Sequence, residues 1–351
     1  MSKVIANDEG PAEKLLGLKL LGKWEVVERI RRDSMRSGEP RSSCYRAIRE
    51  DGEEAFVKAF DFRQADIDTD PKSLERMARE FNHERDVHEL CRDKKLARIT
   101  RIHEAAKVIV ENQAVHFLIC EYAPLSLREA HPPGENSVPA WERFKALRQV
   151  AAGIAQLHGV DVAHQDIKPS NAVAYTSGSV KVADLGSSSC RVLPPVPHDS
   201  LSFCGQPNYA PYELLYNFHG NCWIRRRVGC DMFLLGNLIY TSFAGSSISA
   251  MLLHFLPAEL RHDRTSDYEL VLPFLVEVHN EYISQFVKET FPLNIREDVA
   301  KLLLSMCHPD PRIRGMALNK NSLNQFGLER CISALDYLSK KCRIGAKDNG
   351  A

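Results

Sequence analysis

The ten cysteines of this chain form no C-x-x-C pair, neither sign of charge is in excess, and there is no internal repeat or low-complexity tract. Cysteines scattered at positions 44, 91, 120, 190, 204, 222, 230, 307, 331 and 342, several of them inside apolar runs, exclude a disulfide framework or a zinc site and read as reduced thiols. Lysine plus arginine (46) balances aspartate plus glutamate (46), so no bulk field draws the protein to nucleic acid or an anionic membrane, and neither is expected as a partner. The longest N-terminal apolar stretch, residues 15–21, is broken by Gly17 and Lys19 and falls far short of the roughly 18 residues needed to span a bilayer. A soluble, cytoplasmic protein is the expectation.

What is present is a chain of 351 residues, 44% hydrophobic, which fits one large domain of two lobes or two small domains. Asn7 to Pro11 carry turn chemistry, so residues 1–22 read as a loosely held tail. Residues 24–30, 43–48 and 55–60 are strand-like, with Asp51-Gly52 as a hairpin signal. Residues 73–91 place Leu74, Met77, Phe81, Val87 and Leu90 on one stripe and predict a helix, followed by a strand pair at 99–109 and 115–122. Beyond Pro124 the pattern turns helical: Trp141, Phe144, Leu147, Val150, Ile154 and Leu157 recur every three to four residues, and further helices are predicted at 231–243, 273–286, 295–307 and 328–338. The proline-rich stretch 193–197 is a loop. A strand-rich first third and a helix-rich remainder predict an α+β, bilobal arrangement.

The chemistry concentrates at His164-Gln-Asp166-Ile-Lys168-Pro-Ser-Asn171 and, after a short strand-like segment, Lys181-Val-Ala-Asp184-Leu-Gly186. A chance match at these six fixed polar and glycine positions is expected on the order of once in 10^5 chains of this length. Together with Ala55-Phe-Val-Lys58, Gly205 to Glu213, Asp231 and Arg314, which recur in the same order along the chain, these residues resemble the eukaryotic-like Ser/Thr protein kinase family. The resemblance implies a protein kinase-like fold: an antiparallel N-lobe with one helix over residues 23–121, a mainly α-helical C-lobe over 122–341, and a tail over 342–351.

It also implies Mg-ATP and a protein substrate, with catalysis by positioning and charge neutralisation. Asp166 would be the catalytic base, Lys168 would contact the transferring phosphate, and Asn171 and Asp184 would hold Mg2+. Lys58 would grip the α- and β-phosphates and pair with a glutamate of the following helix, Glu84 being favoured over Glu80. Backbone groups of Glu121 and Ala123 would read adenine at an inter-lobe hinge. Lys168 goes with Ser/Thr acceptors within the family. Glu213 would pair with Arg314 as a buried brace, and Asp231 would support the catalytic loop from below.

Several positions depart from that pattern. No glycine-rich loop precedes residue 44; Gly38 stands alone among Arg31, Arg32, Arg36 and Arg41, which read as a solvated loop or, alternatively, as side-chain cations over the phosphates. Gln165 replaces the arginine that usually clamps a phosphorylated activation loop. Modification at Ser187, Ser188, Ser189, Ser200 or Ser202 is therefore not expected to be required for activity. Gln206 stands where Ser/Thr members carry a threonine, and Leu185 keeps an apolar plug. Arg225-Arg226-Arg227 reads as a solvated charge run, the alternative being a dock for acidic or phosphorylated substrate. Two other readings stay open: a pseudokinase or nucleotide-binding scaffold, and a small-molecule kinase. No sensor domain is visible, so a separate regulatory protein is expected to supply the signal.

Overall fold

A computed structural model describes residues 10–30, 42–62, 72–134, 138–220, 222–264, 267–315 and 323–348. They divide into two compact units, the first made of the described residues up to Lys95 with Thr100–Ala123, the second of Leu96–Ile99 and the described residues from Pro124 onward.

The first unit is a six-stranded, wholly antiparallel sheet and one long helix. Its strands are β1 (Lys19–Leu20), β2 (Trp24–Ile30), β3 (Ser42–Arg49), β4 (Glu54–Phe60), β5 (Ile102–Val110) and β6 (Gln113–Glu121), in the order β1-β2-β3-β4-β6-β5. The helix α1 runs Ser73–Asp93. Side chains alternate across the sheet. Along β4, Ala55, Val57 and Ala59 point to one face and are completely buried with Trp24, Tyr45 and Phe117. Phe60 joins Phe81 of α1, Ile102 and Leu118 in a separate cluster on the other side.

This two-faced burial corrects the expected tail over residues 1–22 in its described part. Ala12, Leu15 and Leu20 are buried against the first face, and the Tyr45 hydroxyl donates to the Ala12 carbonyl at 2.8 Å. An apolar sheet face left open to water would lose about 25 cal/mol per Å² of area, which is the reason a turn-rich segment with few apolar residues is held. The amphipathic stripe of α1 is also narrower than expected, since Leu74 is exposed.

The second unit is mainly helical. Short strands β7 (Leu125–Ser126), β9 (Ala172–Ala174) and β10 (Val180–Val182) make one small sheet, and β8 (Val162–Ala163) pairs with β11 (Ser189–Cys190). The helices are α2 (Leu127–Ala130), α3 (Ala140–His158), α4 (Tyr212–Leu215), α5 (Gly229–Ala244), α6 (Ile248–Phe255), α7 (Tyr268–Thr290), α8 (Leu293–Met306) and α9 (Glu329–Asp348). Nearly every residue of α5 is buried, so it is apolar all round and forms the axis of the unit. Gly236 allows α8 to approach α5: a Cβ there would stand 2.5 Å from the Cys307 sulfur.

Three differences from the predicted elements have simple causes. The expected tail from 342 is a continuation of α9, anchored near its middle by the Ser339 hydroxyl on the Trp141 carbonyl at 2.9 Å. α7 begins five residues before Pro273, which sits inside it, because the Asp267 side chain caps the earlier start. α6 was not predicted: its eight residues are shorter than the window over which a helical period is read. Among the described residues no single helix is long and apolar enough to cross a membrane, and all ten cysteines are free thiols.

Inside α7 the imidazole of His279 is completely buried, and among the described residues neither ring nitrogen makes a hydrogen bond of good geometry. Burial first, and the neighbouring His308 second, push its pKa down to about 3. The unfolded chain takes up this proton near its ordinary value of about 6.5 while the folded chain refuses it. Stability from this site is therefore whole above pH 6.5 and falls on acidification toward pH 3, by about 1.4 kcal/mol per pH unit. His279→Leu should flatten that part of the stability–pH curve in urea titrations, while a curve parallel to that of the parent would contradict the assignment.

Candidate active site

In the first unit the pattern of β4 puts Lys58 on the sheet face opposite Ala55, Val57 and Ala59. Its ammonium meets both carboxylate oxygens of Glu84, at 2.7 and 2.9 Å, and lies 5.3 Å from the centre of the Phe60 ring. Of the two glutamates one turn apart on α1, Glu84 is thus in contact with the lysine, and its side chain is only 4% exposed. At the end of β6 the Glu121 N–H donates to the Arg101 carbonyl at 2.9 Å, so that group is engaged within the sheet. Ala123 lies just beyond the strand, half-buried.

In the second unit the segment from His164 to Asn171 is built over the carboxylate of Asp231, which projects from the first turn of α5 and is completely buried. Asp231 accepts from the backbone N–H of His164 at 2.7 Å, the N–H of Gln165 at 2.8 Å and the Gln165 side-chain amide at 3.0 Å. The His158 ring lies at 2.9 Å from the same carboxylate. Gln165 has φ +66, a left-handed value that costs a non-glycine residue of order 1 kcal/mol or more. His164 accepts the Asp166 N–H on Nδ1 at 3.2 Å, so its proton is on Nε2, which donates to the Ala183 carbonyl at 3.1 Å.

Those bonds aim Asp166. Its Oδ2 accepts from the Lys168 ammonium at 2.7 Å and from the Asn171 side-chain amide at 2.9 Å. The same amide also bonds the Asp166 carbonyl at 2.9 Å, closing the loop on itself. Among the described residues Asp166 Oδ1 meets only the Gln206 N–H, at a long 3.4 Å. Gly205 passes so close that a Cβ there would stand 2.7 Å from the Gln165 carbonyl and 3.0 Å from Asp166 Oδ1, so only glycine fits.

Asn171 and Asp184 are brought side by side by the Ala183 N–H, which donates to the Asn171 carbonyl at 2.8 Å. Asp184 also has a left-handed backbone, φ +63, while Leu185 beyond it is completely buried. The Asn171 nitrogen is committed to Asp166, and its Oδ1, which accepts a long bond from the Ser170 hydroxyl at 3.4 Å, is the side-chain oxygen that could serve as a ligand together with the Asp184 carboxylate. Two hard oxygens suit Mg2+, which takes one or two protein ligands and fills the rest of its octahedron with phosphate and water. Among the described residues no group of three or more His, Cys, Asp or Glu forms a closed metal cage.

Farther along, Glu213 on α4 and Arg314 form a two-pronged ion pair at 2.6 and 2.7 Å, both side chains at most 4% exposed. Burial works against the Arg314 charge, but the Glu213 carboxylate more than offsets it, and the guanidinium stays above its ordinary value.

The reading of 225–227 as a solvated run holds only for Arg225. Arg227 is 2% exposed, held in a π-helical turn, Ile224–Val228, ahead of α5. Ser188 and Ser189 are likewise buried, which removes them as accessible modification sites, while Ser200 is exposed. Arg31, Arg32, Arg36 and Arg41 lie outside the described residues. Sequence reasoning missed the roles of Gly205, His158 and Arg227. Nothing local in the sequence distinguishes Arg227 from its neighbours.

The antiparallel unit with its lysine–glutamate pair, and the helical unit with an aspartate-centred loop over α5, define a kinase-class α+β architecture. A family model described as the protein kinase domain matches residues 37–321, and the chain belongs to that family. It is similar to "Cyclin-dependent kinase F-1" of Oryza sativa subsp. japonica, 38% identical over 80 residues, 22% of this chain and 16% of the relative. It is also similar to "Probable serine/threonine-protein kinase MRK1 homolog" of Encephalitozoon cuniculi, 31% over 117 residues, 32% and 35% of the two chains. "Serine/threonine-protein kinase PLK4" of Drosophila yakuba is 25% identical over 170 residues, 48% of this chain and 20% of the relative. The match thus spans a third or less of the length of most of these curated relatives.

Removing one partner of the Glu213–Arg314 pair leaves the other charge buried and unpaired. Glu213→Ala should lower unfolding free energy by about 3–5 kcal/mol in urea melts, and a loss below about 1 kcal/mol would show the pair to be replaceable by water.

Proposed function

We propose that this protein is a serine/threonine protein kinase that transfers the γ-phosphate of ATP to a protein hydroxyl. The observation that carries the reading is the Asp166 carboxylate. Its Oδ2 is fixed by Lys168 and Asn171, while among the described residues Oδ1 is held only by one long bond. A general base needs one firmly oriented oxygen and one available for the proton it takes, and positioning of this kind contributes about 10²–10⁴-fold.

Asp166 orients the acceptor hydroxyl and receives its proton at Oδ1. Lys168, 2.7 Å from Asp166, places a cation where charge develops on the transferring phosphoryl group. Lys58 grips the α- and β-phosphates, and Glu84 keeps its ammonium extended. Asn171 and Asp184 would hold Mg2+, which would supply positive charge to neutralise the triphosphate. Backbone groups at Glu121 and Ala123 read adenine. Preference for Ser/Thr acceptors is supported by Lys168 and by the names of the similar proteins, each a serine/threonine or cyclin-dependent kinase. The balanced charge of 46 against 46 supports a cytoplasmic protein that acts on neither nucleic acid nor membrane, with its signal supplied by a separate regulatory protein.

Incubation with γ-labelled ATP, Mg2+ and a generic protein substrate should place label on serine or threonine. Asp166→Asn should lower kcat by about 10²–10⁴-fold with the melting temperature nearly unchanged. Lys58→Met should abolish detectable transfer. Label appearing nowhere, or only on small metabolites, would replace this reading by a nucleotide-binding scaffold or a small-molecule kinase.

A further inference from the structure

The buried guanidinium of Arg227 touches two elements that are distant in sequence. Its Nη1 donates to the Gln165 side-chain oxygen at 3.2 Å. Its Nη2 donates to the backbone carbonyls of Asp199 and Leu201, at 2.7 and 3.2 Å, and the Asp199 carboxylate stands 4.0 Å away. The neighbouring Arg226 donates to the same Leu201 carbonyl at 2.5 Å. Segment 197–201 is therefore gripped through its main chain, by acceptors that every residue type supplies.

The other end of the connection is Gln165. Its amide donates to the Arg227 carbonyl at 2.8 Å and to Asp231 at 3.0 Å, and it directly precedes Asp166. Gln165 thus presents an acceptor to the Arg227 side chain and a donor to its backbone, which an arginine could not do. An arginine at 165 would set a second guanidinium against the first inside the protein, where like charges are strongly disfavoured. The two positions are a matched pair, one neutral and one cationic. The π-turn Ile224–Val228, a rare backbone form concentrated at functional sites, is what carries Arg227 inward while Arg225 stays exposed.

We propose that Arg227 is a positioning residue that locks segment 197–206 onto the Asp166 loop through Gln165, so that the site is assembled without a phosphate on the segment. The proposal rests on the kinase reading only for its effect on turnover. A buried cation whose acceptors are the segment's own carbonyls is stranded when the segment moves away, and this couples the two. Ser200 and Ser202 already bond locally, to the Pro197 carbonyl and to Asn217. No charged receiver is required of them.

Three proteins test this: the parent, Arg227→Gln, and Arg227→Lys, which keeps the charge and loses the fork, should the glutamine variant not fold. Hydrogen exchange over 197–206 is expected to accelerate at least tenfold in both variants. kcat should fall about 10- to 100-fold, the scale of a misplaced catalytic group, with the KM for ATP unchanged. Phosphatase treatment should leave the parent's kcat unaltered. Parental exchange rates in the variants, or a parent silenced by phosphatase, would overturn the proposal. Faster exchange in the variants beside a parent that transfers no label would uphold the lock and overturn the kinase reading instead.

Discussion

A single buried carboxylate, that of Asp231, organises the helical unit. It accepts two consecutive backbone N–H groups, a side-chain amide and a histidine ring from the segment 158–165. Hydrogen bonds to a charged acceptor contribute about 1.5–3 kcal/mol each, against about 1–3 kcal/mol for the left-handed backbone of Gln165. The bonds win, and the loop is held in a conformation it would not adopt alone. Because the acceptor is on α5, the most deeply buried helix, the strained turn inherits the rigidity of the core. Asp166 is aimed by that rigidity, with its own contacts to Lys168 and Asn171 as refinement.

Two buried arginines then fix the chain between Asp184 and α5, by different means. Arg314 is neutralised by a carboxylate in a forked pair and lies 4.9 Å from the centre of the Phe233 ring. Arg227 is satisfied mainly by neutral carbonyls and an amide oxygen. The first arrangement tolerates little, since loss of one partner strands a charge. The second is tied to chain position, since its acceptors exist only where segment 197–201 is placed. Together they turn a connection with five prolines and five serines into a defined surface beside Asp166.

In the sheet unit the equivalent constraint is a shortage of apolar cover. One face is shielded by α1, whose Glu84 also meets Lys58, and the other has only residues 10–20 to cover it. Those residues carry Gly10, Pro11 and Gly17 and look like a tail in isolation. Leu15 and Ala12 are held there because the sheet needs them more than they need the sheet.

Periodicity along the chain was enough to determine β2, β3, β4, α1, α3 and α8 to within a few residues, because in each the apolar spacing follows one period. Positions 58, 166, 168, 171 and 184 stood out through the family resemblance, which left Glu80 and Glu84 as partners for Lys58 with Glu84 favoured, and the Lys58–Glu84 contact agrees with that preference. α6 was not legible, because eight residues are too short a window in which to read a helical period. Burial of Arg227, Ser188 and Ser189, the close pass of Gly205 over Asp166, and the packing of residues 10–20 were decided by tertiary structure alone. Each depends on what a distant segment leaves uncovered or unpaired, and that is a property of the assembled surfaces which no local spacing encodes.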